Sequence, residues 1–515
     1  MSRKKKFALA AAFTGATAAA VTAGLFIRRE VAKRKPFSIE ETTIDEIQKA
    51  IRLGQTTSKE LVRQYLDRIQ KLNQQGPFLN AVREINPEAI HEAEACDVKR
   101  TVQPDVGPLF GIPIIVKDNI ETAGNMHTTA GSIALKNHQA SQDAFIIKKL
   151  KAAGAIILGK ANLTEFANFI SDKMPNGYSS LGGQVLNPYG AAFDVGGSSS
   201  GTASAVAANL AAAGIGTETS GSILSPASSN ALVGIKPTIG VLSRSGIIPL
   251  AHSQDTAGPM ARTVRDAVLL LNAMTGVDED DEETVWSRGD VQKDYRVYLK
   301  RNGLKNARIG IDRHYLKDLS REKVELINKA LKVMKEKGAH VIDPVIIPSS
   351  ETLENRRSSV LYHEFKWDIN RYFGKLDQQI PVHSLADLIA FNREHADKAL
   401  KYGQAVLEKS EQTSGDLGER EYLIDRADDL RLSRKEGLDA VIKAQHLDAL
   451  VFANAQGCDI AAKAGYPSIT VPAGYTHDGE PVGITFTGLA FSEPRLIELA
   501  FAFEQATKHR MAPGL

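Results

Sequence analysis

The sequence predicts an α/β protein, and three observations carry that prediction. Short β-rich runs alternate with helix-like stretches from about Pro36 onward. The composition, 43% hydrophobic and 24% charged, is that of a globular chain. At 515 residues the chain is long enough for a large core, in one big domain or two to three smaller ones.

The N-terminal stretch stands apart. Residues 1–35 carry nine Lys or Arg and one acid, Glu30, whereas residues 36–515 hold 54 bases and 60 acids. A body of net negative sign without a basic stripe is a poor partner for a phosphate backbone, so no nucleic-acid partner is expected. Between two basic clusters runs Phe7–Ile27, 21 residues with no charge. As a helix it would reach about 30 Å, one bilayer core. Nine of these residues are alanine, so the segment is only weakly hydrophobic, and Val21-Thr22-Ala23 offers the small residues that precede a signal-peptidase cut. Export and anchoring both fit. Uncleaved, residues 7–27 would contact the membrane, and bases on both flanks leave the orientation ambiguous. The chain is divided accordingly into a signal or membrane anchor, 1–35, and a main domain, 36–515.

From Ile44 to Leu72 the apolar spacing is helical, with Thr43 and Ser58 as candidate caps. Strands are expected at Ile112–Val116, Ala155–Leu158, Ala213–Thr217, Arg308–Ile311, His340–Val345, Ala449–Ala453, Ser468–Val471 and Gly483–Thr487. Lys148 to Glu165 reads as a helix closing at Gly154, a strand, and Asn162-Leu163-Thr164-Glu165 as the capping-box start of another helix. The acidic run Asp278–Glu283 reads as a solvated loop, and residues 350–440 as surface helices placed to cover a cleft. Cys96 and Cys458 are too far apart in sequence to suggest a pair and are expected as free thiols.

Chemistry concentrates between residues 111 and 260. The run Gly196-Gly197-Ser198-Ser199-Ser200-Gly201 lacks the Lys-Ser/Thr that completes a P-loop. It does contain G-x-S-x-G centred on Ser199, a nucleophile elbow that would need a downstream acid and histidine. A third reading joins two serine clusters to Lys117, which ends an apolar strand where burial would lower its pKa toward that of a general base. His91-Glu92 starts like a zinc-protease motif, but its second ligand position is Ala95. No metal or cofactor is expected.

Taken together, Gly111-Ile-Pro-Ile-Ile-Val-Lys117-Asp118, Leu158-Gly-Lys-Ala-Asn162-Leu-Thr-Glu165, Gly196 to Gly201, Gly216-Thr-Glu-Thr-Ser-Gly-Ser222, Gly234-Ile-Lys-Pro-Thr238 and Asp255-Thr-Ala-Gly-Pro-Met260 resemble the amidase signature family, in its order and spacing. The resemblance implies α/β/α layers around a large mixed sheet and a hydrolase of linear carboxamides, with 36–515 as its catalytic domain. It implies Ser222 as nucleophile, Ser198 as bridging serine in a cis peptide, and Lys117 as base. Backbone N–H groups of Thr219, Ser220, Gly221 and Ser222 would form the oxyanion hole, with Ser199 bonding behind the triad. Ser200 and Ser220 depart from the commoner glycine. Strings such as Gly182-Gly-Gln-Val-Leu-Asn-Pro188 are most similar to the peptide amidases, so a small-molecule or peptide amide is the expected partner. An esterase using Ser199, and an inactive tethered binding protein, stay open as alternatives.

Overall fold

A computed structural model describes residues 37–103 and 106–515. Its strands, in chain order, are β1 (Val82–Ile85), β2 (Pro113–Lys117), β3 (Ile156–Ala161), β4 (Tyr178–Ser179), β5 (Gly183–Gln184), β6 (Ala213–Glu218), β7 (Val233–Lys236), β8 (Thr256–Ala261), β9 (Arg308–Ile311), β10 (His340–Ile342), β11 (Ala449–Ala453), β12 (Ser468–Tyr475) and β13 (Pro481–Thr487). The short pair β4 and β5 stands alone. The other eleven form one sheet in the order β1-β3-β2-β6-β8-β7-β12-β13-β11-β9-β10. Pairing is mixed: β3, β2 and β6 run parallel, β8 returns antiparallel to β6, and β11, β9 and β10 are parallel again.

The predicted α/β class is thus observed. Every residue of β2, Pro-Ile-Ile-Val-Lys, is buried, as a strand covered on both faces must be. Helix Ser200–Ala207 packs on β2, β6 and β8, helix Val264–Met274 on β7 and β8, and helix Glu493–Thr507 on β12 and β13. A second apolar cluster lies apart from the sheet core. In it Phe365, Ile369 and Phe373 of helix Val360–Phe373 meet Leu385, Leu388 and Leu407 and the turn at Phe166. This is the helical cap expected from residues 350–440.

All eight expected strands lie in the large sheet, whereas β1, β7 and β8 were not expected. Several local expectations are corrected. The second helix of the first pair, Ser58–Ile69, is capped by Thr57, whose side chain accepts the Glu60 N–H while Glu60 reaches back; Ser58 is inside the helix. Asn162 to Glu165 does not start an α-helix. Asn162 N–H donates to Ala81 O, and Phe166, Ala167 and Asn168 follow with φ of +44°, +56° and +72°. The acidic run is not a solvated loop either. Asp278 and Asp281 are buried, where they bind Ser243 and Arg244, and Asp281 caps helix Glu282–Trp286.

The anchored or exported localisation is corrected as well. Among the described residues no helix is long and apolar enough to cross a membrane. The segment 7–27 that prompted the expectation lies outside the described residues.

Candidate active site

The end of β2, the loop after β6 and the N-terminus of helix Ser200–Ala207 converge at the middle of the sheet. β2 and β6 are parallel neighbours, with Val116 opposite Ile215, so their C-terminal ends emerge together. That is where ligand sites of open α/β sheets form. Lys117 and Ser198 are wholly buried, and Ser222 is 6% exposed.

Lys117 Nζ lies 2.7 Å from Ser198 Oγ, and it donates to Thr217 Oγ1 (2.9 Å) and Thr217 O (3.2 Å). None of these partners is a carboxylate. Burial therefore dominates and pulls the lysine down to about 7, against smaller opposing pulls from Asp255 and Glu218. The Gly197–Ser198 peptide is cis. Ser198 O accepts the Thr164 N–H at 3.0 Å, and Ser199 N–H donates to Ser222 O at 3.2 Å, so the two serine clusters are joined through their backbones. Ser199 Oγ donates to Thr217 O (3.0 Å) and accepts from Thr217 N (3.2 Å), which locks it onto β6. Gly216 makes that approach possible, since a Cβ there would come within 2.7 Å of Ser199 Oγ.

The loop bearing Ser222 is organised by a residue to which no role was assigned from sequence, Glu218. Its carboxylate accepts the N–H groups of Gly221 (2.8 Å), Ile223 (2.7 Å) and Leu224 (3.0 Å), doing for helix Leu224–Ser229 what an N-cap does. This narrows the expected oxyanion hole. The Gly221 N–H is spent on Glu218, whereas those of Thr219, Ser220 and Ser222 have no acceptor among the described residues. Of the two serines that depart from the family string, Ser200 Oγ donates to Gly196 O and Ser220 Oγ faces Cys458 Sγ at 3.8 Å. Burial pushes the Cys458 thiol up to about 12, and both cysteines are free, as expected.

A cavity of about 290 Å³ adjoins the site through Thr217 and Thr219, though Lys117, Ser198 and Ser222 do not themselves line it. Asn119, Thr217, Thr219 and Asp255 form its inner end, Ile247 to Leu250 one wall, and Asp368 and Tyr372 of the cap another. Asp255 accepts from Thr219 Oγ1, Leu250 N (2.7 Å) and Ala251 N (2.9 Å), and burial raises it to about 6. Arg244 is held by Asp281. His252 Nδ1 is 2.9 Å from Asp368 and its Nε2 is 3.7 Å from Glu364. Among the described residues these three are the group that could hold a metal ion, yet the ring's two nitrogens face two different carboxylates, an ion-pairing arrangement. A larger cleft of about 570 Å³, bordered by Lys99, Phe110 and Arg296, contains none of the candidate residues.

Comparison with known proteins gives the family and the fold. Residues 60–497 match the amidase family. A probable amidase of Arabidopsis thaliana is 43% identical, over 93% of this chain and 92% of that protein. The peptide amidase of Stenotrophomonas maltophilia superposes with a TM-score of 0.88 at 43% identity, over 93% of this chain and 99% of that one. An amidase family protein of Bacillus anthracis str. Ames gives 0.87 at 42% identity, with 93% of each chain covered. The chain belongs to the amidase signature family. It is an amide-hydrolysing enzyme.

Proposed function

We propose that the protein hydrolyses the C-terminal amide of a peptide, or a small carboxamide of like shape, to carboxylate and ammonia through an acyl-enzyme on Ser222. The carrying observation is Lys117 Nζ, wholly buried, 2.7 Å from Ser198 Oγ and bonded to no carboxylate. A lysine with a pKa near 7 is neutral in a useful fraction at physiological pH. It takes the Ser198 proton as Ser198 takes that of Ser222, and Ser222 Oγ attacks the carbonyl. The N–H groups of Thr219, Ser220 and Ser222 receive the developing oxyanion, each important donor contributing roughly a hundred- to a thousandfold. The relay then returns a proton to the nitrogen, ammonia leaves, and water repeats the sequence to release the acid. Every step uses this chain's own side chains and backbone.

Peptide amides are the favoured substrates because the solved structure that covers 93% of this chain at 43% identity is that of a peptide amidase. The catalytic unit in this reading is residues 36–515. A fluorophosphonate should label Ser222, as located by mass spectrometry, and ammonia should be released from N-acyl dipeptide amides. Ser222→Ala should lose both and stay folded. A label on Ser199 instead, or ammonia release that persists in Ser222→Ala, would defeat the reading.

A further inference from the structure

The ladder between β6 and β8 ends with Glu218 opposite Thr256, so the next pair outward is Thr219 and Asp255. The phase of the ladder is set by Pro259, which lies opposite Ile215 and has no N–H to give. Bonded and unbonded pairs alternate in an antiparallel ladder, so the bonded ones here are those of Gly214, Gly216 and Glu218. The Glu218 carbonyl therefore faces β8. The Glu218–Thr219 peptide is trans, and across it the Thr219 N–H points the opposite way. Since β6 lies between β8 and β2, that direction is toward β2, the strand that ends in Lys117. Two residues earlier the same side of the backbone already meets the site, where Thr217 O accepts Lys117 Nζ and Thr217 N donates to Ser199 Oγ.

At Thr219 a side chain takes over from the ladder. Opposed residues of an antiparallel pair turn their side chains to one face, and there Asp255 accepts the Thr219 Oγ1 hydroxyl. The residue is thus held to β8 without use of its backbone donor, which has no acceptor among the described residues. The second carboxylate oxygen of Asp255 accepts Leu250 N (2.7 Å) and Ala251 N (2.9 Å) from the cavity wall. Glu218 grips the loop at its other end, through Gly221 N and beyond.

We propose that Asp255 is a positioning residue for the oxyanion hole: through the Thr219 hydroxyl it fixes the first of the three N–H donors and ties that donor to the wall of the substrate cavity. The inference rests on the mechanism proposed above. A donor held in place before substrate arrives needs no reorganisation as charge develops on the carbonyl oxygen.

The test uses the full chain and an N-acyl dipeptide amide, with kcat and KM measured separately. Thr219→Val removes the hydroxyl and keeps the N–H. It should lower kcat roughly ten- to a hundredfold and leave KM within about threefold, the pattern of an interaction that counts in the transition state alone. Thr219→Ser should recover most of that loss. Asp255→Ala should lose at least as much as Thr219→Val, and the double variant should be less than about threefold slower than Asp255→Ala, because both changes break one bond. The two Thr219 variants decide the matter by themselves if Asp255→Ala does not fold. An unchanged kcat in Thr219→Val, a serine variant as slow as the valine one, or losses that multiply in the double variant would overturn the inference. Fluorophosphonate labelling of Ser222 separates the two levels. No label on the unmodified enzyme would defeat the mechanism and this inference with it, whereas a label together with an unchanged kcat in Thr219→Val would defeat the inference alone.

Discussion

Two neighbouring strands each bury a lysine completely, and the two surroundings differ. Lys117 ends β2 and Lys160 lies on β3, where it is the register partner of Val116. Around Lys117 the partners are a serine hydroxyl, a threonine hydroxyl and a carbonyl. Around Lys160 they are Ile120 O, Thr128 Oγ1 at 3.0 Å and Thr122 Oγ1 at 3.3 Å, with the buried Asp118 carboxylate 3.9 Å away. Burial lowers both, to about 7 and about 8. Burial alone therefore does not distinguish a base from a strut. What distinguishes them is that Lys117 meets a serine hydroxyl, that of Ser198, while Lys160 closes on a carbonyl and two threonine hydroxyls of the segment 120–128.

The comparison is broken most directly by exchanging each lysine for methionine. Lys117→Met should lower kcat/KM by roughly a hundred- to ten-thousandfold, the usual worth of a general base, and it should also cost roughly 1–3 kcal/mol of stability, because Ser198 Oγ, Thr217 Oγ1 and Thr217 O lose their donor. Lys160→Met should act on stability alone. It should keep kcat/KM within about tenfold of the parent and lose roughly 1–3 kcal/mol in urea unfolding, because Ile120 O and two threonine hydroxyls lose their donor. Equal kinetic losses in the two variants would erase the distinction.

The pH dependence sharpens it. The proposed mechanism needs neutral Lys117, so kcat/KM should climb as pH passes about 7 and level off above. Stability follows with a definite sign. The folded pKa near 7 lies below the value of 10.5 for a free lysine. Below pH 7 both states carry the proton and the burial penalty is full. Between about 7 and 10.5 the unfolded chain binds a proton that the folded one lacks, so stability rises with pH, by up to about 1.4 kcal/mol per unit. Lys117→Met should lack that contribution, and denaturant titrations at several pH values across the window would read the difference.

The smallest effect belongs to Ser199. Removing its hydroxyl in Ser199→Ala frees Thr217 N and O, which should cost about 1 kcal/mol of stability and a few-fold in kcat, with KM unchanged. Stopped assays and thermal melts on the same preparation would show whether the bond behind the triad matters to rate at all.

Much of this was legible in the chain. Arg308–Ile311 and Ala449–Ala453 were bounded correctly because their apolar runs are short and flanked by clear breaks. β8 was missed because Gly258-Pro259 reads as a turn, yet Pro259 sits opposite Ile215 in the middle of the sheet. β7, with only Val-Gly-Ile-Lys, is too short to carry a pattern. At the site, Lys117, Ser198 and Ser222 were readable as a set only through their family resemblance. Glu218 and Asp255 lay inside the quoted strings without an assigned role, because what they do is accept backbone N–H groups, and no side-chain spacing records that.

Two contacts between the cap and the body differ in kind. On one side Phe166 packs edge-on against Phe365 and Phe373. On the other, partly open to solvent, His252 Nδ1 lies 2.9 Å from Asp368, an ion pair when the ring is protonated. Added salt screens the second contact and leaves the first untouched. Ionic strength therefore tells the two contacts apart, weakening the polar one while the aromatic one holds.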